Sequence, residues 1–368
     1  MRRMRLIISL LIVLIIFTIT IVPTTSATTI EVTVRTEEEL LSAIDSRTPD
    51  IIIDGLIPLN DEIIVEHFVT IRGQGALTVA YNHRHFIIQE NGHLVINGDI
   101  TLTRATDHSG NGGGVHVAQD GIFTLYSGHI YSNYMRIGGG VRVDSGHVYI
   151  NGGTINHNHA VFGGGVSVDS GHIYINGGTI SHNHAERGGG IEVRRGTLYI
   201  NDGNIKYNYA THGGGISVDF GQLYLYDGSI SHNNADLGGG IYIGMRRGTD
   251  ISATMTMRGG EITENTAVFS GGGIHSYMSF VNLEQGTVQN NQATGHGGAY
   301  LSNMTIYHVG SEMLIDQNIS ANRHDASSQQ LSLFEQLQTP SIIHIIALFA
   351  LAGIALLITN MKKSKSNQ

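Results

Sequence analysis

The sequence predicts an all-β protein: a single-stranded right-handed parallel β-helix with about 25 residues and three strands per coil, opened by a short capping helix. Three observations carry this expectation. A block beginning GGG starts at Gly112, Gly138, Gly163, Gly188, Gly213, Gly238 and Gly271, with a degraded copy near Gly297. Within each block, short runs alternate apolar and polar residues. The same residue types also return at the same place in successive blocks, which marks a stacked array rather than a chain folded once around one core.

Taken in order, residues 1–27 read as a secretory signal peptide. Arg2, Arg3 and Arg5 precede an apolar run from Leu6 to about Val22, and Thr25, Ser26 and Ala27 offer a small-residue cleavage site. Residues 28–322 are the expected β-helix ectodomain, with the regular GGG repeats over 112–300. At its start, Thr36 and Glu39 form a capping-box pattern ahead of Leu40, Leu41 and Ile44, so one amphipathic helix should begin here and stop near Pro49. A helix laid over the first coil would block an edge that otherwise pairs with other chains. Strand-like runs follow at Ile51–Ile53, Ile63–Val65, Phe68–Ile71, Phe86–Ile88 and Leu94–Ile96.

The block at Gly138 shows the anatomy of a coil. Val141 to Val143 and Val148 to Ile150 alternate with period two, which places one face inward and one outward. A third, shorter run ends at Ile155, and Gly146, Gly152–Gly153 and the GGG triplet are the expected corners. A propeller blade needs about 40 residues and four strands. A leucine-rich repeat needs a leucine framework, and neither condition is met. Stacked coils should bring equivalent residues about 4.8 Å apart. The ladders this implies are present: Ile or Val at 130, 155, 180, 205, 230, 262 and 288, then Asn133, Asn158, Asn183, Asn208, Asn233, Asn265 and Asn291 three residues later, and Ala two beyond most of these. An amide carries both donors and an acceptor, so the Asn column is expected to be structural.

The pattern IxxNxA followed by GGGI resembles the GGA(I/L/V) and FxxN repeats of the chlamydial polymorphic outer membrane proteins. It is also similar to repeats of bacterial and archaeal adhesin-like β-helix proteins. The resemblance covers about residues 100–300. It implies a surface β-helix with an adhesin-like role. Ile stands here where that family has Phe, and no C-terminal barrel follows, so an outer-membrane autotransporter is not implied. The segment Val69–Gly75 is similar to the early coils of pectate-lyase-type β-helices.

One block is longer than the rest, with its excess at Gly244–Ala253, where a loop should protrude. Residues 323–341 read as a linker or C-terminal cap around Leu331, Leu333, Phe334 and Leu337. Residues 342–359 form an apolar stretch long enough for a transmembrane helix. The tail 360–368 carries Lys362, Lys363 and Lys365, which should remain cytoplasmic. The expected topology is single-pass in the cell membrane, with the β-helix extracellular. There is no cysteine, so stability must come from the stacked core. The formal charge is −9. The six cations of the two terminal segments offset part of it, which leaves about −15 on the ectodomain and argues against nucleic-acid partners.

Four surface features are candidates for function. Tyr149, Tyr174, Tyr199 and Tyr224 should form an outward aromatic strip suited to glycans or protein partners, and they are the expected ligand-binding residues. Asp144, Asp169 and Asp219, with Arg194 between them, form a ladder open to calcium or a sugar, although Asp also favours such corners. His157 with His159 and His182 with His184 form two HxH pairs. On an extended segment these would stack as a weak metal alternative. Gly295-His296-Gly297 matches a polygalacturonase triplet without its companions. A catalytic site should break the repeat as an out-of-register carboxylate cluster, and none is read. The expectation is therefore an adhesin-like protein binding glycans or proteins through its lateral face, with no cofactor, no metal and no catalytic residues. The alternatives are a pectate-lyase-like polysaccharide lyase or glycoside hydrolase, and a passive surface scaffold.

Overall fold

The computed structural model describes residues 31–79, 83–104, 112–244, 253–298, 300–303 and 306–320. They form a parallel β-solenoid of about nine turns with roughly 25-residue spacing. The expected signal peptide, the linker or cap, the transmembrane helix and most of the Gly244–Ala253 insertion lie outside the described residues. Among the described residues no helix is long and apolar enough to cross a membrane.

Helix α1 spans Glu37–Asp45. Thr36 caps it by accepting the Glu39 amide, and Glu39 reaches back to the Arg35 amide at 2.7 Å rather than to that of the cap residue. Leu40, Ala43 and Ile44 are buried, while Leu41 faces solvent. The chain then enters Asp50–Leu59 and Phe68–Val79, which pair in parallel over ten residues.

Three parallel sheets run along the solenoid, the third beginning at His184. The first contains His147–Ile150 and Thr154–Asn156, which fuse in the next coils into the continuous strands His172–Ser181 and Thr197–Lys206. The second contains Val141–Val143, Val166–Val168, Ile191–Val193, Ile216–Val218, Ile241–Ile243 and Ile274–Tyr277. The third contains His184–Arg187, Tyr209–His212, Asn234–Leu237 and Thr266–Ser270. Equivalent residues pair directly, as in Val148↔Ile173↔Leu198↔Leu223. The inward members of these ladders form one continuous aliphatic core along the axis.

The corners differ from the expectation in one respect. Gly152–Gly153 is not a boundary between two sheets. Its equivalents lie inside the long first-sheet strands, at register shifts following Ile175. The turn comes five residues later, at a non-glycine residue in the left-handed region: His157 (φ 55°), His182 (54°), Tyr207 (56°) and His232 (56°). The third sheet is then the short segment around the Ala column. The residue after each of these corners is the ladder Asn. Each ladder Asn donates its amide to a carbonyl of the preceding coil and to the Asn oxygen of the following coil. That oxygen also accepts the donor's own backbone N–H, all at 2.8–3.0 Å from Asn158 through Asn265. Asn318 extends the ladder by one member.

The GGG triplet makes the remaining corner. Gly188 has φ 60°, and a Cβ there would lie 2.3 Å from the Ile191 oxygen and 2.7 Å from the Glu192 nitrogen. Only glycine permits this close return. Across this corner the residues preceding the triplets meet outward side chains of the second sheet, His212 and Arg187 at Tyr242 and Ser270 at His275, with a groove between the two rows.

Candidate functional site

The middle residue of each second-sheet strand points out of the core into this groove. In register these are His116, Arg142, Ser167, Glu192, Ser217, Tyr242 and His275. The opposing wall is the residue just before each triplet, including Phe162, Arg187, His212 and Leu237. From Ser167 to His275 these outward side chains are buried, with Glu192 5% exposed and Ser217 0%, whereas His116 and Arg142 remain partly exposed. A cavity of about 450 Å³ opens along the groove beside Arg136, Arg142, Asp144, Ser167, Glu192 and Asp219.

One coil departs from the repeat in four places. Arg187 is the one arginine in a column that otherwise reads Ile137, Phe162, His212, Leu237 and Ser270, Glu192 stands between two serines, Arg194 interrupts the Asp ladder, and Arg195 follows it. The structure gathers these changes at one site. Arg187 pairs with Asp219 of the next coil. The Ser167 hydroxyl donates to Glu192 Oε2 at 2.8 Å. Arg195 holds both oxygens of Asp169, at 2.7 and 2.8 Å, which leaves Arg194 only 3.5 Å contact with the same carboxylate. Glu192 is thus a carboxylate that keeps the register of the repeat but changes its residue type, in the column two residues before the Asp ladder. The signal is in the residue types: between His116 and His275, Glu occurs once in a column otherwise made of His, Arg, Ser and Tyr.

Burial sets the electrostatics. Desolvation pushes the Glu192 carboxyl up to about 7, with the Asp219 charge adding to it against the Ser167 hydrogen bond and the Arg187 and Arg194 charges. Desolvation also raises Asp219 to about 6, although Arg187 and Arg194 oppose the shift. At Asp144 burial pushes upward, but a 2.8 Å bond from His116 and another from Arg142 win, so its carboxyl lies below the usual range. The Asp ladder therefore does not gather as a calcium site. Each member is held by a different cation. Among the described residues, three potential metal ligands converge only at Asp61, Glu62 and His83, on the lead-in coils.

Tyr149, Tyr174, Tyr199 and Tyr224 stack in register on the first sheet, with ring centroids 4.9–5.2 Å apart and planes within 9°. Each ring covers its neighbour's face, so the strip shows solvent a row of edges and hydroxyls rather than flat aromatic faces. The HxH pairs do not lie on an extended segment, because His157 and His182 occupy the left-handed corner. They separate into two columns. His157 stacks on His182 at 5.0 Å, and His159 meets His184 with their Nδ1 atoms 3.0 Å apart. Burial lowers the affinity of His159 and His184 for a proton, which suits one shared hydrogen between neutral rings.

No family model, curated protein or solved structure matches this chain, so no family match supports the resemblance to the chlamydial repeats.

Proposed function

We propose that this protein is an adhesin-like β-solenoid, displayed at the cell surface and anchored by residues 342–359, whose lateral groove binds an extended anionic glycan. The observation that carries the reading is the groove itself. It spans several coils, and of the four arginines that line it beside four carboxylates, two are weakly committed to internal partners. Arg136 lines the groove, is exposed, and has no carboxylate partner among the described residues. Arg194 has only the long contact to Asp169. Guanidinium groups in this state are suited to bidentate recognition of sugar carboxylates. An elongated ligand also matches a solenoid, whose surface repeats once per coil. The likeness of IxxNxA and GGGI to adhesin-like repeats supports surface display. The tyrosine row on the first sheet is a second lateral surface, able to hydrogen-bond a protein or glycan through its hydroxyls.

The test is retention of the detergent-solubilised full chain on immobilised polygalacturonate and dextran. Preferential retention on polygalacturonate is expected, weakened about tenfold in the Arg136→Ala, Arg194→Ala double variant through loss of two charge-assisted contacts. Equal retention on both polymers, or none on either, sinks the reading.

A further inference from the structure

We propose that Glu192 and Asp219 form a hydrolytic site that cleaves glycosidic bonds of a uronate-bearing polysaccharide lying in the groove. This rests on the anionic-glycan reading above and adds chemistry to it. Three features converge. The two carboxylates line one cavity, from neighbouring coils. Glu192 is the acid that breaks its column, and its coil also carries the departures at Arg187, Arg194 and Arg195. The site further contains polar atoms whose burial the fold leaves uncompensated: the Ser217 hydroxyl, beside Glu192 in register, and the Arg187 Nε have no hydrogen-bond partner.

The step is an addition of water. Glu192 gives its proton to the glycosidic oxygen as the bond from that oxygen to the anomeric carbon breaks. A water molecule attacks the anomeric carbon and passes a proton to the Asp219 carboxylate. The products are two shorter chains, one with a new reducing end, and the proton returns from Asp219 to Glu192 through solvent. Asp219 lies two strand positions beyond Ser217, the register partner of Glu192. Strand rise and spacing therefore put the two α-carbons about 8 Å apart, and both side chains line the same cavity. Arg187 orients Asp219, and Ser167 orients Glu192. Arg136 and Arg194 are placed to take the carboxylates of flanking sugars.

The charge states agree with these roles. With Glu192 at about 7 and Asp219 at about 6, the form with a protonated Glu192 and an ionised Asp219 peaks between those values. The charged groups facing Glu192 are Asp219, Arg187 and Arg194, and Arg142, Asp144 and Asp169 line the groove beyond them.

The experiment incubates the full chain in detergent with polygalacturonate, alginate and hyaluronan, and with dextran as the neutral control. It follows new reducing ends and, in parallel, retention on the same polymers. The expected result is cleavage of at least one uronate polymer with a bell-shaped profile peaking at about pH 6.5, reduced at least about 100-fold in Glu192→Gln and in Asp219→Asn. Circular dichroism checks the fold of both variants. If either fails to fold, the wild-type profile decides, and a flat or single-limbed profile overturns the proposal. Retention without cleavage overturns hydrolysis and leaves the binding reading standing, whereas absence of both overturns the two together. Unsaturated sugar products, or full activity in Glu192→Gln, also overturn it.

Discussion

The Ser167 hydroxyl donates to Oε2 of Glu192 at 2.8 Å across one coil, and both side chains are buried. That bond favours the ionised carboxyl, yet desolvation outweighs it and holds Glu192 at about 7. The folded state therefore retains a proton that the unfolded chain, near the ordinary 4.5, has already released. The stability from this difference is present below about pH 4.5 and is lost as pH rises to about 7. Glu192→Gln, neutral throughout, should be more stable than the wild type at about pH 8 by up to about 3 kcal/mol, and nearly equal to it at about pH 4. Urea unfolding at the two pH values measures this. An equal difference at both would show that Glu192 is not held protonated.

Arg187 and Asp219 pose the opposite problem. Removing the guanidinium leaves a carboxylate that is almost wholly buried and has lost its nearest cation. Arg187→Gln should cost about 3 kcal/mol at neutral pH, because breaking one side of a buried pair strands the other charge. The cost should shrink below about pH 5, where Asp219 is protonated in the variant as well. Thermal melts across this range would show the convergence, and a loss independent of pH would assign the effect to packing against Tyr242, which lies under the guanidinium.

Much of this architecture was legible because a repeat states its constraints many times. The inward columns at Ile155, Ile180 and Ile205, the Asn ladder and the helix cap at Thr36 are written in residue type alone. The left-handed corner is only weakly marked: His157, His182 and His232 are of a type enriched at positive φ, whereas Tyr207 in the same column is not. As a result, the third sheet was not separated from the Asn and Ala columns. The groove was hidden for a related reason. Alternation labels Glu192 as outward, and outward normally means exposed. Only the structure shows that this outward side chain is buried.

Tyrosine stacking makes a separate prediction. Tyr174 is sandwiched between Tyr149 and Tyr199, at 5.0 and 4.9 Å. Replacing Tyr149, Tyr174, Tyr199 and Tyr224 with Phe should preserve the stack and leave the melting temperature close to wild type, while removing every hydroxyl. Tyr174→Ala alone should cost about 1–2 kcal/mol by breaking two ring pairs. If the tyrosine row binds a partner through its hydroxyls, adhesion of cells displaying the Phe variant falls. Unchanged adhesion would exclude the row as a hydroxyl-mediated binding face.

The Asn ladder should be the least replaceable feature of the fold. Asn208 is 1% exposed and takes part in four hydrogen bonds through its side chain. Asn208→Ala would leave the Asn183 backbone N–H, one Asn183 amide hydrogen and the Ile180 oxygen without partners in a buried corner. At about 1–3 kcal/mol for each of the three stranded groups, the loss is on the order of 3–9 kcal/mol, beyond what any surface position should cost. Asp at the same site should be no better. It keeps the acceptor but loses the donor, and it brings charge against the Asn233 and Ile180 oxygens. At Asn318, the last described member, the same change should cost less, because its side chain is only partly buried and water can replace lost partners. Denaturant unfolding of Asn208→Ala, Asn208→Asp and Asn318→Ala tests the ranking. A mid-ladder loss no greater than the terminal one would mean that the backbone ladders, rather than the amides, fix the stacking of the coils.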